Sequence, residues 1–259
     1  MNESEDRVYG RLRLFNAAMG ALHLLQGLAM LLLSSSITLP LRTTFLDSSG
    51  PPGSSVSTVT RTVFDLRLGP LVAAFLLISS VAHFVLASPP VFPWYVKNLK
   101  RHINYVRWYE YAASASVMIV VIARLCGVFD LPTLVLLFSL NATMIFFGLM
   151  MELHNQTTER TDWTSFVMGC FAGAVPWVII IWYFVGAVLT SDGGQVPAFV
   201  YGIIASLFLF FNIFAVNMFL QYKKVGPWRD YLFGERVYIL LSLFAKSALA
   251  WQVFSGTLN

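Results

Sequence analysis

The amino-acid sequence predicts an all-α membrane protein, in which seven helices form one bundle and a small β-hairpin follows the first helix. Of its 259 residues, 57% are hydrophobic and 12% are charged, whereas soluble domains average about 25% charged residues. Seven apolar runs are also long enough to cross a bilayer core of about 30 Å. We therefore expect a single domain over residues 1–259, with helices near residues 12–36, 68–87, 103–127, 131–152, 164–188, 197–221 and 234–256.

The connection between the first two runs, residues 37–67, is the one long loop that the sequence predicts. Its two arms are rich in threonine and valine, and they flank the turn-like stretch SSGPPGSS at residues 48–55. This composition is typical of a β-hairpin. A disordered loop is the alternative.

Lysine and arginine residues are distributed unevenly between the two ends of the predicted helices. Because cytoplasmic loops retain an excess of these residues, we expect a cell-membrane protein with a cytoplasmic N-terminus and, after seven crossings, an extracellular C-terminus. The same placement accounts for the net charge of +4 without a nucleic-acid partner. The N-terminal side carries ten basic residues, Arg7, Arg11, Arg13, Lys97, Lys100, Arg101, Arg160, Lys223, Lys224 and Arg229, and the other side carries four, Arg42, Arg61, Arg67 and Arg124.

Lys246 lies near the middle of the seventh apolar run, in the stretch LLSLFAKSALAW. Counting from Gly234, a rise of 1.5 Å per residue places this lysine about 18 Å into the helix. A charged lysine near the bilayer midplane costs at least about 2.5 to 3.5 kcal/mol, so it requires a partner. Glu110 in the third run is the one carboxylate that we place deep inside a helix, and we therefore predict an ion pair. A pair that only holds two helices together is the alternative.

The amine of Lys246 could also be used covalently, by forming a Schiff base with a polyene aldehyde. The protonated imine would then lie beside Glu110. Aromatic side chains that could surround such a ligand are concentrated in the fifth to seventh runs, although any one of them could instead face lipid or the core. They are Trp177, Trp182, Tyr183, Phe208, Phe210, Phe211, Phe214 and Trp251.

Four motifs, found in order along the chain, resemble those of the heliorhodopsins. The resemblance implies all-trans retinal on Lys246 as a protonated Schiff base, Glu110 as its counterion, an inverted membrane orientation, and a homodimer in which the outer loop takes part. The motifs are RWYEYAASASVMIV (107–120), VPAFVYGIIASLFLFFN (196–212), GERVYILLS (234–242) and SLFAKSALAWQVFSGTL (242–258).

The residues near the pair favour a sensor over a pump. Ser242, one turn before Lys246, occupies the place where microbial pumps carry a second carboxylate, and it can offer only a hydrogen bond. Val121 lies eleven residues beyond Glu110, where proton pumps place an internal donor, and a hydrocarbon cannot relay a proton. Ser114 could extend a polar cluster and Asn141 could serve helix packing or ring contacts. The expected cofactor-binding set is Lys246, Glu110, Ser242, Ser114, Trp177, Phe211 and Asn141.

A second group of polar residues could accept a proton. His23 and His83 fall in the first two runs, and histidine can hold a proton near neutrality because its unperturbed pKa is about 6.5. With water they could form a polar cavity near Glu110, an interpretation that the heliorhodopsin resemblance supports; a structural role is the alternative. Arg107, one turn before Glu110, could stabilise the charged carboxylate or extend to the inner interface instead.

We expect a light sensor rather than an enzyme: retinal isomerises, and a signalling partner reads the change in helix packing. The other expected partners are membrane lipid and a second copy of the chain. Cys126 and Cys170 lack metal-ligand spacing, so no metal is expected. Two alternatives remain, a light-gated or light-driven proton transporter, and a secondary transporter without retinal that uses the Lys246–Glu110 pair for coupling.

Overall fold

The structure is a computed structural model that describes residues 3–47, 57–190 and 196–258. A 3-10 turn at Gly226–Arg229 precedes the last long helix, and a π-helical turn at Phe254–Leu258 follows it. In chain order the α-helices and β-strands are α1 (Glu3–Leu33), β1 (Thr38–Asp47), β2 (Ser57–Arg67), α2 (Leu68–Ala87), α3 (Phe92–Leu99), α4 (Tyr105–Leu125), α5 (Leu131–His154), α6 (Thr164–Thr190), α7 (Ala198–Tyr222) and α8 (Tyr231–Val253).

Seven of the described helices, α1, α2 and α4 to α8, are long and apolar enough to cross a membrane. The predicted seven-helix architecture is therefore confirmed. The first run predicts a helix from residue 12, whereas α1 begins at Glu3, because charged residues with good helix propensity extend it beyond the apolar part. The apolar runs do not predict α3, a helix of 8 residues that begins next to Pro93 and links α2 to α4.

The two ends of the bundle differ in structure. We call one the N-terminal face; it carries the start of α1, helix α3 and the loops at 155–163 and 223–230. We call the other the hairpin face, because β1 and β2 lie there. Consecutive spanning helices pack side by side from α1 to α6, and α7 packs on α8, which contacts α1 and α2. Helices α6 and α7 meet through aromatic side chains such as Trp177 and Phe211, whose ring centroids are 5.5 Å apart.

The predicted β-hairpin is confirmed. Its strands pair antiparallel from Thr38 opposite Arg67 to Asp47 opposite Ser57, with an irregularity between Leu41 and Arg42. The Arg42 amide donates a hydrogen bond of 2.9 Å to the carbonyl oxygen of Phe129, which ties β1 to the segment before α5. The turn expected at residues 48–55 lies outside the described residues.

Candidate functional site

Lys246 and Glu110 meet in the interior of the bundle. Both are buried, with 2% and 9% of their surface exposed, and Lys246 Nζ lies 3.0 Å from Glu110 Oε1. The amine also donates a hydrogen bond of 2.6 Å to Ser242 Oγ, one turn earlier on α8. The lysine therefore has the charged partner that its burial requires.

Ser79 of α2 is a further member of this site. Its hydroxyl donates a hydrogen bond of 2.6 Å to the same Glu110 oxygen that faces Lys246, and its side chain is fully buried. Sequence reasoning missed Ser79, because a serine in an apolar run gives no sign of which neighbouring helix it faces. Its spacing of four residues from His83, which places both on one side of α2, was the available signal.

The two histidines lie together beside the ion pair. His23 and His83 stack with ring centroids 5.6 Å apart, and His83 Nδ1 lies 2.8 Å from Asn16 Oδ1. His83 is within electrostatic range of both Glu110 and Lys246. Among the described residues, neither ring nitrogen of His23 has a hydrogen-bond partner. The pair therefore offers unused proton-binding capacity close to the buried charges.

Arg107 is not part of the polar group formed by the two histidines and the Lys246–Glu110 pair. Its guanidinium forms ion pairs with Glu152 of α5 and Glu235 of α8, and all three side chains are nearly inaccessible. The sequence places Arg107 beside Glu110, but in the structure Arg107 pairs with these two carboxylates instead. Each of them lies at the end of an apolar run, where a charged residue usually lies at the membrane surface. Their burial gave no signal in the sequence, because it results from the way three helices and α3 close over this end of the bundle.

Hydrogen bonds complete the cluster of Arg107, Glu152 and Glu235. The Trp108 indole donates to Glu152 Oε2 at 2.5 Å, and the Asn104 amide donates to Glu235 Oε1 at 2.7 Å. Two phenols donate as well: Tyr95 to Glu235 at 3.1 Å and Tyr231 to Glu152 at 3.0 Å. With one arginine and two carboxylates, the cluster carries an excess acidic group that these donors stabilise.

Two apolar cavities extend from the lysine toward α6 and α7. The first, about 50 Å³, is lined by Lys246 and Ser242, and the second, about 100 Å³, reaches Gly169 on α6. The two share part of their walls, including Met144, whose unbranched side chain adapts readily to its surroundings. The shared residues are Tyr111, Met144, Ile145, Phe211 and Phe214.

Of the other residues expected to contact the cofactor, only one lines the two cavities. Phe211 lines both cavities. Trp177 packs edge to face on Phe211 and so supports the wall from behind. Asn141 donates a hydrogen bond of 3.1 Å to Ser116, and Ser114 is fully buried on α4. Neither Asn141 nor Ser114 is among the cavity residues.

This arrangement suits an apolar aldehyde. A primary amine can attack a carbonyl carbon, and a nearby carboxylate can hold the positive charge of the resulting imine. The apolar cavity beside the amine matches a polyene rather than a polar substrate. By their chemistry, Lys246, Glu110 and the apolar cavity walls therefore fit retinal.

A family model described as Heliorhodopsin matches residues 12–258, nearly the whole chain. The matched residues include Glu110, Lys246 and both strands of the hairpin. A comparison with individually curated proteins found no match. Seven membrane-capable helices, a buried lysine with a carboxylate partner, and the family match agree. The chain therefore belongs to the heliorhodopsin family, whose members are retinal photoreceptors of the membrane.

Proposed function

We propose that this chain is a light-sensing photoreceptor that holds retinal on Lys246. The observation that carries the proposal is the buried contact of 3.0 Å between Lys246 Nζ and Glu110 Oε1 at the end of an apolar cavity. All-trans retinal, bound as a protonated Schiff base, supplies light absorption and isomerisation, which start a slow conformational photocycle without net ion pumping.

Glu110 is the counterion in this proposal. Its carboxylate lies beside the lysine nitrogen, and Ser79 occupies a second hydrogen-bonding direction of the same oxygen at 2.6 Å. The free amine also donates to Ser242 at 2.6 Å; the protonated imine keeps one N–H, which we assign to Glu110. Together the two hydroxyls orient the charged groups and limit their movement. A single carboxylate then holds the positive charge in the dark state.

The surroundings of the pair explain why no net transport is proposed. His83, His23 and Asn16 form the polar group near it, whereas the buried side chains of α2 and α8 between Lys246 and the hairpin face are apolar. On the hairpin side of Glu110 the nearest buried polar groups of α4 and α5 are Ser114 and the hydrogen-bonded pair Ser116 and Asn141, which include no carboxylate or imidazole. We therefore propose that a proton that leaves the pair moves toward the histidines and returns by the same route. The apolar residues of α2 and α8 are Leu68, Val72, Ala73, Phe75, Leu76, Leu249, Ala250 and Val253.

The proposed output is a change in helix packing that a signalling partner reads. A homodimer through the outer loop is part of the proposal, and exposed apolar side chains on the hairpin support it because such surfaces are typical of interfaces. They include Phe45, Leu46, Val63 and Phe64. The excess of basic residues on the N-terminal face supports a cytoplasmic N-terminus and an extracellular C-terminus.

A light-gated or light-driven proton transporter is the second candidate. The stacked pair of His23 and His83 favours it, because two imidazoles beside a buried charge could take up a released proton. The apolar residues on the hairpin side argue against a complete route. The secondary-transporter alternative, which has no retinal, gains no support from a match to a family of retinal proteins.

The attachment of retinal is tested with Lys246→Ala. The variant should insert in the membrane and form no visible pigment with added retinal, because no primary amine remains at this position. Lys223→Ala, which removes a lysine at the end of α7, is the control and should keep the wild-type band. A visible band in Lys246→Ala that borohydride traps on the protein would show that retinal is attached elsewhere.

A further inference from the structure

A cavity of about 230 Å³ opens at the N-terminal face, away from the two apolar cavities. It lies between the loop at 155–163, the 3-10 turn at Gly226–Arg229 and the start of α8. Its walls are mostly polar, unlike those of the retinal cavities. The residues that carry the proposal below are His102, Thr158, Thr161, Lys224, Arg229 and Tyr231.

The backbone adopts the left-handed conformation at two points of this wall. Among the described residues, His102 and Lys224 are the non-glycine residues with positive φ, at 58° and 52°. Both residues follow the end of a helix, where bonds from Ile103 N to Asn98 O and from Val225 N to Leu220 O close the last turn, and this type of helix end commonly places one residue in the left-handed conformation. The two helix ends therefore fix the backbone of His102 and Lys224 at the wall of the cavity.

Positive charge predominates in the wall. Lys224 and Arg229 contribute two cationic groups, and Glu159 is the one carboxylate among the lining residues. Arg229 Nε donates a hydrogen bond of 3.3 Å to the carbonyl oxygen of Lys224, which keeps the guanidinium close to that residue. On the opposite loop the Thr161 hydroxyl adds a neutral hydrogen-bonding group, whereas the Thr158 hydroxyl donates to Asn155 Oδ1 at 3.1 Å.

The cavity also has a well-supported floor. The ring of His102 stacks on Tyr231, with centroids 4.9 Å apart, and the Tyr231 hydroxyl donates to buried Glu152 at 3.0 Å. On another side the Trp228 indole donates to buried Asn217 at 2.7 Å. The walls are therefore fixed to the interior of the bundle and not to surface loops alone.

We propose that this cavity binds a small anion through a carboxylate or phosphate group, with Lys224 and Arg229 as its charged contacts. Guanidinium and ammonium groups are the usual partners of such oxyanions. The volume is below the range of about 300 to 1,000 Å³ that is typical of drug-sized ligands, so the site fits a compact group. That group belongs either to a free anion or to the headgroup of an acidic phospholipid.

Binding is tested on the purified full-length chain in neutral detergent, with inorganic phosphate and succinate as probes at constant ionic strength. An anion that binds the folded state raises its stability by RT ln(1 + c/Kd), where c is the anion concentration, so the unfolding temperature begins to rise at concentrations near Kd and continues to rise with the logarithm of the concentration. We expect this rise for the wild type, and an apparent affinity at least about tenfold weaker for Lys224→Asn and for Arg229→Gln, since each loses a charged hydrogen bond. Asparagine is chosen because it tolerates positive φ.

The matched control is Lys223→Asn, which removes the same charge from the adjacent residue. The Lys223 amine lies 5.4 Å from the centre of the Trp163 ring and is not among the cavity residues, so the variant should respond to phosphate as the wild type does. A second arm places the protein in nanodiscs of phosphatidylcholine with or without phosphatidylglycerol. Stabilisation by phosphatidylglycerol alone, lost in Arg229→Gln, would identify the lipid headgroup as the source.

Two results would overturn the proposal. One is the absence of any rise in unfolding temperature with phosphate, succinate and phosphatidylglycerol alike. The other is an equal rise in unfolding temperature for Lys223→Asn, Lys224→Asn and Arg229→Gln, which would show that the anion binds to other basic residues of the N-terminal face. Should Lys224→Asn fail to fold, Arg229→Gln decides between these outcomes by itself.

Discussion

Arg107 and Glu110 stand one turn apart on α4, yet they belong to separate ion pairs. Glu110 contacts Lys246 at 3.0 Å, whereas the Arg107 guanidinium contacts Glu152 and Glu235. Three residues advance a helix by about 4.5 Å, enough for the two side chains to meet different neighbours. The proposed counterion is therefore balanced by the lysine rather than by the arginine before it.

The first prediction uses the visible absorption band of the bound retinal to distinguish the Lys246–Glu110 pair from the Arg107 cluster. Glu110→Gln should move the visible band of the retinal-bound protein to longer wavelength, because a weaker counterion lets the positive charge spread along the polyene. Glu152→Gln makes the same chemical change in the Arg107 cluster and should move the band much less. Absorption spectra of both variants check this. A larger shift for Glu152→Gln would show that Glu110 is not the counterion.

The Arg107 cluster should matter greatly for stability. Arg107→Met leaves Glu152 and Glu235 buried without their cation, and breaking such a buried group costs about 3–5 kcal/mol. Thermal unfolding in detergent should show a large loss. Lys100→Met is the control, since it removes the exposed ion pair of 2.9 Å with Glu5, and such pairs contribute little. Equal unfolding temperatures for the two variants would contradict the prediction.

Gly148 should be intolerant of a side chain. A β-carbon there would overlap the ring of Trp108, which is held by its hydrogen bond of 2.5 Å to Glu152. We expect Gly148→Ala to lower stability by about 1–3 kcal/mol, as overpacking does. Gly186→Ala introduces the same methyl group where no atom lies within 4 Å and should not lower stability. The comparison needs only the unfolding temperatures of the two variants.

The orientation follows from the uneven distribution of basic residues. A tag on the C-terminus should be accessible to antibody outside intact cells, and a tag on the N-terminus should become accessible only after permeabilisation. Permeabilised cells expressing each tagged protein provide the control for tag exposure. A C-terminal tag that stays protected in intact cells would reverse the proposed orientation.

Illumination should move no net protons across the membrane. Transport needs a conducting route on both sides of Lys246, and the buried residues of α2 and α8 toward the hairpin face are apolar. Cells that contain the pigment should show no light-dependent pH change that a protonophore abolishes. Voltage clamp should show no sustained photocurrent. Either signal would favour the transporter, and His23→Ala and His83→Ala would then be the first variants to measure.

The sequence by itself determined the membrane class, the seven helices and the hairpin, because each depends on a local property. A bilayer sets the length of an apolar run, and strand-forming residues around a glycine and proline turn indicate a hairpin. The sequence also predicts the Lys246–Glu110 pair, because a deeply buried charge requires a partner and Glu110 is the one carboxylate predicted deep inside a helix. The polar cavity beside His102 gave no signal in the sequence.

Only the tertiary structure decided which side chains meet. Hydropathy locates a helix in the membrane but does not specify its rotation, so the contact of Ser79 with Glu110 could not be predicted. The burial of residues at the ends of the helices could not be predicted either. By sequence Glu152 and Glu235 are expected at the membrane interface, whereas in the structure α3 and the neighbouring helices bury them. The partners of Arg107 follow from that enclosure, since a buried guanidinium pairs with the carboxylates that packing brings within reach.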